Sequence, residues 1–210
     1  MSNNKQYILS PDELLFLAKE FKAKYLDALY YTLANSSEEM RAVRDNNSKF
    51  SLIEKKYLSE TLRGELSIEP GLSEVLKPVF NANEESSFVL LSVGDRASLA
   101  FNLHLDSSQI TLVEFIKDAY IISKTDKNRI RKLIEIVLRE VLTNEEVSAK
   151  GDGVTSHLIS VKKSVFGEES TLKTYLVKDG ILIEANEENE IAIDEVDAVL
   201  RITDMLYEGD

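Results

Sequence analysis

The sequence predicts an α+β fold in which a central antiparallel β-sheet, built as a meander, is flanked by helical bundles. Apolar residues recur with helical spacing at the beginning, middle and end of the chain, and with a spacing of two residues in the segments between. The strands come in neighbouring runs rather than as repeated β-α-β units, which favours an antiparallel sheet. We expect a single α+β domain over residues 1–210, with any subdomain boundary near 146–153, in the linker-like sequence AKGDGVT.

Three helices with apolar stripes are predicted in the first part of the chain, and the polar segment SSEEMRAVRDNNSK is predicted to form a short helix that runs into a loop. Ser10 is a candidate N-cap, Pro11 suits the first helical position, and Glu13 completes a Ser-x-x-Glu capping box. The apolar stripe that follows predicts a long helix through LLFLAKEFKAKYLDALYYTL. After a polar stretch, SLIEKKYLSETLRGE predicts a second helix that ends at Gly64. EPGLSEVLKPVFNA predicts a short third helix, whose last turn contains Pro78.

The spacing then changes to that of strands. A run of three strands is predicted over SSFVLLSVGD, SLAFNLHL and QITLVEFI. A strong amphipathic helix follows over TDKNRIRKLIEIVLREVLTN, with Thr125 as its cap. Beyond the linker, VTSHLISVKKSVF and TLKTYLVKDGILIEA predict further strands, and Asp179-Gly180 suits a two-residue hairpin turn. NEENE is interpreted as an acidic turn, and IDEVDAVLRITDMLYEG as the last helix.

Composition excludes several classes of protein. The chain of 210 residues has a formal net charge of −12, which opposes general binding to nucleic acid phosphates. It contains no cysteine, so thiolate zinc sites and disulfides are excluded and a reducing compartment is favoured. The first residues carry no secretory signal pattern, and no apolar run approaches the ~20 residues of a membrane helix. We therefore expect a cytoplasmic protein without membrane insertion.

Catalytic and metal-binding motifs were sought around the two histidines. His104 and Asp106 lie on the same side of a predicted strand, yet no serine, cysteine or second histidine nearby completes a recognisable catalytic set. His157 is interpreted as a half-buried strand residue. The acidic segment EANEENE lacks the spacing of a calcium loop, and the glycine-containing turns match no phosphate-binding motif. We expect no catalytic residue, no metal and no cofactor, and therefore no enzymatic activity.

Two surfaces are predicted to bind a partner. In the last helix, Ala198, Ile202 and Met205 form an apolar stripe opposite the main one. Either this helix is sandwiched in the core, or the stripe is exposed and docks a partner. The second surface is the polar face of a strand that carries Asn102 and His104, which is predicted to be exposed.

The order of these segments resembles the EspG/EsaE-like chaperones of type VII secretion. The resemblance is carried by YILSPDELLFLAKEF, by EKKYLSETLRGELSIEPGLSEVLKPVFNANEESSFVLLS and by the alternating strands that follow. It implies a strand-and-helix start, a central antiparallel sheet flanked by helical bundles, and a cytosolic, non-enzymatic protein. It also implies that the partner is a helical secreted protein, which the chaperone keeps soluble until export. It supplies no motif residues that can be carried over singly.

Besides an enzyme that would use His104 and Asp106, for which the sequence offers no third catalytic group, two functions of different kinds remain open. The first is a chaperone or adaptor that binds a type VII secretion substrate and keeps it export-competent. The alternative is an acidic immunity protein that neutralises a toxin by binding it, which small size and negative charge also suit. The identity of the partner would separate the two functions, and the sequence leaves the oligomeric state open.

Overall fold

The computed structural model of the protein describes residues 5–27, 30, 41–81, 86–93, 98–106, 109–116, 119–143, 157–165, 171–178, 181–185 and 189–207. Within these ranges the helices are α1 (Pro11–Glu20), α2 (Arg41–Glu54), α3 (Pro70–Phe80), α4 (Lys127–Thr143) and α5 (Glu195–Tyr207). The strands are β1 (Gln6–Leu9), β2 (Leu58–Glu60), β3 (Leu66–Ile68), β4 (Ser87–Val93), β5 (Ser98–Leu105), β6 (Ile110–Ile116), β7 (Ala119–Thr125), β8 (His157–Val165), β9 (Thr171–Lys178), β10 (Ile181–Ala185) and β11 (Glu190–Ala192). In this part of the chain, no helix is long and apolar enough to cross a membrane.

Nine of these strands form one large sheet. Its strand order is β1-β7-β6-β5-β4-β8-β9-β10-β11, while β2 and β3 form a separate hairpin. Strands β4 to β7 are neighbours in chain order, and so are β8 to β11, so the sheet is built from two meanders. The predicted α+β class with a central antiparallel sheet is confirmed.

Packing divides the chain into two compact units. The first comprises residues 1–86 and 104–124, and the second comprises 87–103 and 125–210. The chain therefore passes between the units at three points, one of which falls inside β5, between Leu103 and His104. The boundary predicted near 146–153 lies outside the described residues.

The first unit packs its helices on one face of β1 and β7. The antiparallel register places Tyr7 opposite Ile122 and Leu9 opposite Tyr120, and all four side chains are buried. The same core contains apolar residues from every helix of this unit, among them Leu14, Leu17, Leu52, Leu72, Leu76 and Val79. Burial of these side chains supplies the main stabilisation of the unit.

The predicted capping box of α1 is confirmed and does more than cap. Ser10 Oγ accepts a hydrogen bond from Glu13 N at 3.2 Å, and Glu13 Oε2 accepts one from Ser10 N at 2.7 Å. The Glu13 carboxylate is buried and also accepts from Lys55 Nζ, 2.7 Å from each oxygen, and from Ser51 Oγ at 2.7 Å. Glu13 therefore joins the start of α1 to the end of α2.

The helix α1 ends at Glu20, so the prediction of a long helix is wrong beyond that residue. Lys22 has a φ of 53°, in the left-handed region, and Ala23 N donates to Ala18 O at 2.8 Å. This closure satisfies carbonyl groups at the end of the helix, as in a Schellman motif. Glycine usually occupies the left-handed position. Lysine occupies it here, so the sequence contains no stop signal.

The same closure ends α2 and corrects the second predicted helix. Lys56 has a φ of 59°, and Tyr57 N donates to Leu52 O at 2.9 Å, so the helix ends at Glu54. The following residues form the β2–β3 hairpin, in which Leu58 pairs with Ile68. Gly64, with a φ of 80°, lies in the turn of this hairpin and is not a helix stop.

The third helix, α3, is confirmed, but the break expected at Pro78 is not found, since the helix continues to Phe80. Glu69 is its N-cap, and the Oε2 atom accepts from Leu72 N at 2.7 Å. Pro78 has no N–H to donate to the carbonyl of Glu74, four residues earlier. Gln109 Nε2 donates to that carbonyl at 2.7 Å instead. The side chain of a neighbouring segment therefore replaces the missing helical hydrogen bond.

The second unit contains α4, α5 and the meander from β8 to β11. Asp126 caps α4, since its Oδ1 accepts from Arg129 N at 2.9 Å, while Thr125 ends β7. The predicted cap at Thr125 is therefore displaced by one residue. The register of β9 and β10 pairs Lys178 with Ile181, which leaves two residues between them, as the predicted hairpin requires.

Candidate functional site

The predicted docking stripe of the last helix is buried in the second unit. Ala198 and Ile202 have no exposed surface, and Met205 is 3% exposed. Val199 and Leu206, from the main stripe of α5, are buried as well. The prediction that this stripe is exposed for a partner is wrong. The alternative of a helix sandwiched in the core holds only in part, because Val196 and Leu200 of the main stripe are 61% and 41% exposed.

Asn102 and His104 are also buried, which corrects the prediction of an exposed polar strand face. Asn102 has no exposed surface and His104 is 3% exposed. In the first unit, His104 Nε2 is hydrogen-bonded to Tyr30 Oη at 2.6 Å, and Tyr30 is fully buried. Burial lowers the pKa of His104 from 6.5 to about 3, so the ring is neutral near neutral pH. The alternating pattern identified the strand correctly but did not show what covers it.

Polar contacts fix α5 on one face of the second unit's strands. Lys163 Nζ in β8 is buried and donates to the carbonyl oxygens of Met205 at 2.9 Å and Leu206 at 3.3 Å. In the middle of the helix, Arg201 Nη1 lies 2.9 Å from Glu184 Oε2 in β10. Lys163 and Glu184 lie on the same face of their strands as Val161, Tyr175 and Leu182, which are buried. We call this the covered face.

The opposite face of the same strands carries apolar side chains that remain partly or fully exposed. Antiparallel partners share a face and successive residues alternate, so the registers assign the members of this face. Leu172 is 62% exposed and Ile181 is 53% exposed, while Leu90, Leu176 and Ile183 are half-buried. We call this the open face. By register it also includes positions 158 and 178, and its members with described side chains are Phe88, Leu90, Ser92, Ser160, Lys162, Ser164, Leu172, Thr174, Leu176, Ile181, Ile183, Ala185, Glu190 and Ala192.

The open face is low in charge for a protein of this composition. Charged residues make up 30% of the chain and its net charge is −12. Among the described side chains of the open face, Lys162 and Glu190 carry charge, and their charges are opposite. Apolar side chains displayed together without like charges are typical of surfaces that contact another protein.

The sequence contained a signal for this face that sequence reasoning missed. In TLKTYLVK and ILIEA, both sets of alternate positions contain apolar residues, so a helix on one side still leaves leucine and isoleucine on the other. The described part of the chain contains no group of three or more His, Cys, Asp or Glu side chains placed to hold a metal ion.

Comparison with known proteins gives a structural match. No protein-family model matches the sequence. No curated protein sequence matches it. Among solved structures, it is similar to the type VII secretion system chaperone EspG5 of Mycobacterium tuberculosis, determined in complex with the PE25–PPE41 dimer. The TM-score is 0.58 with 8% sequence identity, over 96% of this chain and 96% of that chain.

The chain has an EspG-like fold. The match extends over nearly the whole of both chains, so it includes both compact units and not one shared element. At 8% identity the similarity concerns the fold, and a fold is compatible with more than one activity. The EspG-like fold that the sequence pattern implied is therefore found.

Proposed function

We propose that this protein is a cytosolic, non-enzymatic chaperone of the EspG/EsaE-like kind, which binds a type VII secretion substrate and keeps it soluble and export-competent. The EspG-like fold supports the proposal, since EspG5 is a type VII secretion chaperone whose structure was determined with a PE25–PPE41 dimer. The open face of the second unit is the observation that carries it, because it offers a surface for another protein.

The substrate segment that suits the open face is helical, with an apolar side of its own. Five neighbouring strands, β4, β8, β9, β10 and β11, form the face. At a spacing of about 4.8 Å they span about 19 Å, and an α-helix with side chains is about 10 Å across. One or two helices therefore fit side by side. Their apolar side chains would leave water on contact with Leu172, Leu176 and Ile181, which provides the binding free energy.

Binding suits the described side chains better than catalysis does. A general base must reach the substrate, and His104 is enclosed in the first unit against Tyr30. Asp106, its partner in the catalytic alternative, accepts a hydrogen bond from Gln109 N at 2.8 Å and stabilises the turn after β5. An export chaperone needs a surface that hides the apolar part of its substrate, and the open face meets that need.

The test is capture of the substrate by charge-changed variants. We expect Leu172→Lys and Ile181→Lys to lose the protein that the wild-type chain captures from its host, because each places a lysine in the apolar contact. Both side chains are more than half exposed, so folding should be unaffected. Val196→Lys is the matched control, since Val196 is 61% exposed on α5, the helix that packs on the covered face. It should capture as the wild type does.

The captured protein must then behave as a substrate. Produced by itself it should aggregate, and the wild-type chain should keep it in solution at equimolar concentration while Ile181→Lys does not. Equal capture by Ile181→Lys and Val196→Lys would refute the role of the open face. Capture of an enzyme whose toxic activity the chain inhibits would contradict the chaperone proposal and support the immunity function.

A further inference from the structure

Lys162 lies among the apolar side chains of the open face. It belongs to β8 and is directly opposite Leu90 of β4 and Leu172 of β9. Side chains that are opposite each other on one face of a sheet have their Cβ atoms about 5 Å apart. Because β4 and β9 flank β8 on its two sides, Lys162 is in the interior of the sheet and not at its edge. The open face therefore holds an ammonium group between two leucines.

The charge of Lys162 has no counterpart within the described part of the chain. Lys162 is exposed, and it makes no ion pair or hydrogen bond to the described residues. Among the described side chains of the open face, the opposite charge belongs to Glu190 of β11. That strand is three strand spacings away from β8, or about 14 Å, which is too far for an ion pair. A partner that covers Lys162 must therefore supply its own acceptor.

We propose that the apolar side of the substrate segment carries one aspartate or glutamate, whose carboxylate pairs with Lys162. This inference rests on the proposed function, in which a helix of the substrate covers the open face. A helix that covers Leu90 and Leu172 also covers the ammonium group between them. Removing an unpaired ammonium group from water costs free energy comparable to what contact with the two leucines supplies. A carboxylate within hydrogen-bonding distance offsets that cost.

Local charge selects a carboxylate even though the whole chain is acidic. A hydrogen bond between an ammonium group and a carboxylate is about twice as strong as one between neutral groups. The net charge of −12 acts over longer distances, and salt screens exposed charges beyond about 8 Å at physiological ionic strength. The substrate therefore needs one carboxylate at the contact. A neutral or basic remainder avoids repulsion from this chain.

The neighbours of Lys162 set the sequence pattern around that carboxylate. Leu90 and Leu172 lie one strand spacing, about 4.8 Å, on either side of Lys162. On an α-helix, side chains three and four positions apart are neighbours, at about 5–6 Å. The substrate helix should therefore carry its aspartate or glutamate within an apolar stripe, with apolar residues three or four positions away on both sides.

Capture by Lys162 variants tests the inference through the direction of the effect. The probe is the protein that the immobilised wild-type chain captures from its host, and its retention is measured at graded concentrations of immobilised chain. Lys162→Met keeps an apolar stem and removes the charge. It should weaken binding by about tenfold or more, because the substrate carboxylate is then buried without a partner. Lys162→Arg, which keeps the charge, should retain binding.

Lys173→Met is the matched control. Lys173 is opposite Val161 on the covered face, so this change removes the same charge from a neighbouring strand without altering the open face. It should bind as the wild type does. A lysine that only opposes aggregation of the open face, or whose ammonium group stays in water beside the bound substrate, predicts a different result for Lys162→Met. That variant would bind as well as the wild type or better, and this result would overturn the inference.

Exchange of charges identifies the group that meets Lys162. Lys162→Glu should lose capture, because two carboxylates would then oppose each other. Changing one aspartate or glutamate of the captured protein to lysine should restore capture by Lys162→Glu and weaken capture by the wild type. If Lys162→Met weakens binding and no such exchange restores it, the partner group is not a carboxylate and the inference is wrong.

This inference and the proposed function fail separately. If Ile181→Lys loses capture while Lys162→Met does not, the open face binds the substrate and the paired carboxylate alone is wrong. If Ile181→Lys captures as the wild type does, the open face is not the binding surface and both proposals are wrong. Each variant should melt as the wild type does in circular dichroism, because Lys162 and Ile181 are exposed.

Discussion

Removing the charge of Glu69, the N-cap of α3, should lower the stability of the protein near neutral pH, and the loss should become smaller at acidic pH. Glu69 Oε2 accepts hydrogen bonds from Leu72 N at 2.7 Å and from Tyr7 Oη at 2.8 Å, and Oε1 lies 3.0 Å from Lys5 Nζ. Burial by itself would raise the pKa of this carboxyl. The three donors outweigh burial and lower the pKa from 4.5 to about 2.

The structure gives the magnitude of this effect. A fall in pKa from 4.5 to about 2 corresponds to about 3 kcal/mol of stability in a fully shielded site. The Glu69 side chain is 28% exposed, so solvent screens part of the interaction and we expect about 1–2 kcal/mol. This stabilisation is complete above pH 4.5, where the unfolded chain is ionised, and is lost as the pH falls toward 2.

Thermal melting of Glu69→Gln and wild type, followed by circular dichroism, measures the difference. Near neutral pH the variant should melt about 2–8 °C lower, at about 2–4 °C per kcal/mol for a chain of this length. Near pH 3 the difference should shrink to half or less. Glu74, the control position, lies in the same helix and forms an exposed ion pair with Lys124 of β7. Glu74→Gln should therefore change the melting temperature little at either pH. A difference for Glu69→Gln that does not change with pH would refute the argument, because the charge would then not be its cause.

Three further changes should alter stability. Gly71→Ala should lower the free energy of unfolding, measured in urea, by about 1–3 kcal/mol, because the added Cβ would collide with Tyr7 Oη. Combining it with Tyr7→Phe should restore part of this loss. Because of His104, the free energy of unfolding should fall by up to about 1.4 kcal/mol for each pH unit between pH 6.5 and about 3. In this range the imidazole binds a proton in the unfolded chain but stays neutral in the folded chain. His104→Gln should remove this pH dependence. Lys163→Met should cost about 1–3 kcal/mol and speed hydrogen exchange in the last turn of α5. Lys162→Met, its exposed neighbour, should stay within about 0.5 kcal/mol.

Local signals predicted the elements whose determinants lie within a few residues. The capping box of α1 combines Ser10, Pro11 and Glu13 within one turn, and its geometry follows from those residues alone. The β9–β10 hairpin depends on the Asp179-Gly180 pair, and the observed register leaves those two residues between the strands. In these elements the local residue preferences and the overall fold favour the same conformation, so the sequence pattern predicts the structure correctly.

The helix ends could not be predicted, for a physical reason. Lys22 and Lys56 adopt left-handed φ values, which cost free energy for a residue with a side chain. Burial of Leu17 and Leu52, near the ends of the two helices, stabilises the first unit and offsets this free-energy cost. A lysine carries no local preference for this conformation, so the sequence suggested that each helix continues. Strand β7 was not predicted, and it depends on pairing with β1, which lies far away in the chain and which only the family resemblance implied. Strand β11 was missed as well, because its residues were interpreted as part of an acidic turn.

Burial of the predicted site residues depends on which layer covers each strand face, and periodicity cannot supply that information. Alternation placed Asn102 and His104 together on one side of β5, which is correct. Whether that side meets water is decided by residues far away in the chain, such as Tyr30 for His104. A polar residue on a strand is therefore weak grounds for assigning an exposed surface. A hydrogen-bonding partner can bury it at small cost, as Tyr30 does for His104, and Asn102 is buried even though its side-chain Nδ2 and Oδ1 have no hydrogen-bond partner among the described groups.

The two apolar stripes of α5 and the open face have a common origin. With apolar residues on two stripes, α5 buries Ala198 and Ile202 as well as Val199 and Leu206, and Lys163 and Glu184 hold it on the covered face. The strands of the second unit carry apolar residues on both faces, as strands covered on two sides do. A helix satisfies one face only. The other face still exposes apolar side chains to water. A protein with such a surface avoids aggregation when a partner covers the surface or when charged residues surround it. Among the described side chains of the open face, Lys162 and Glu190 carry charge, and this is one reason why the proposed function places a partner protein there.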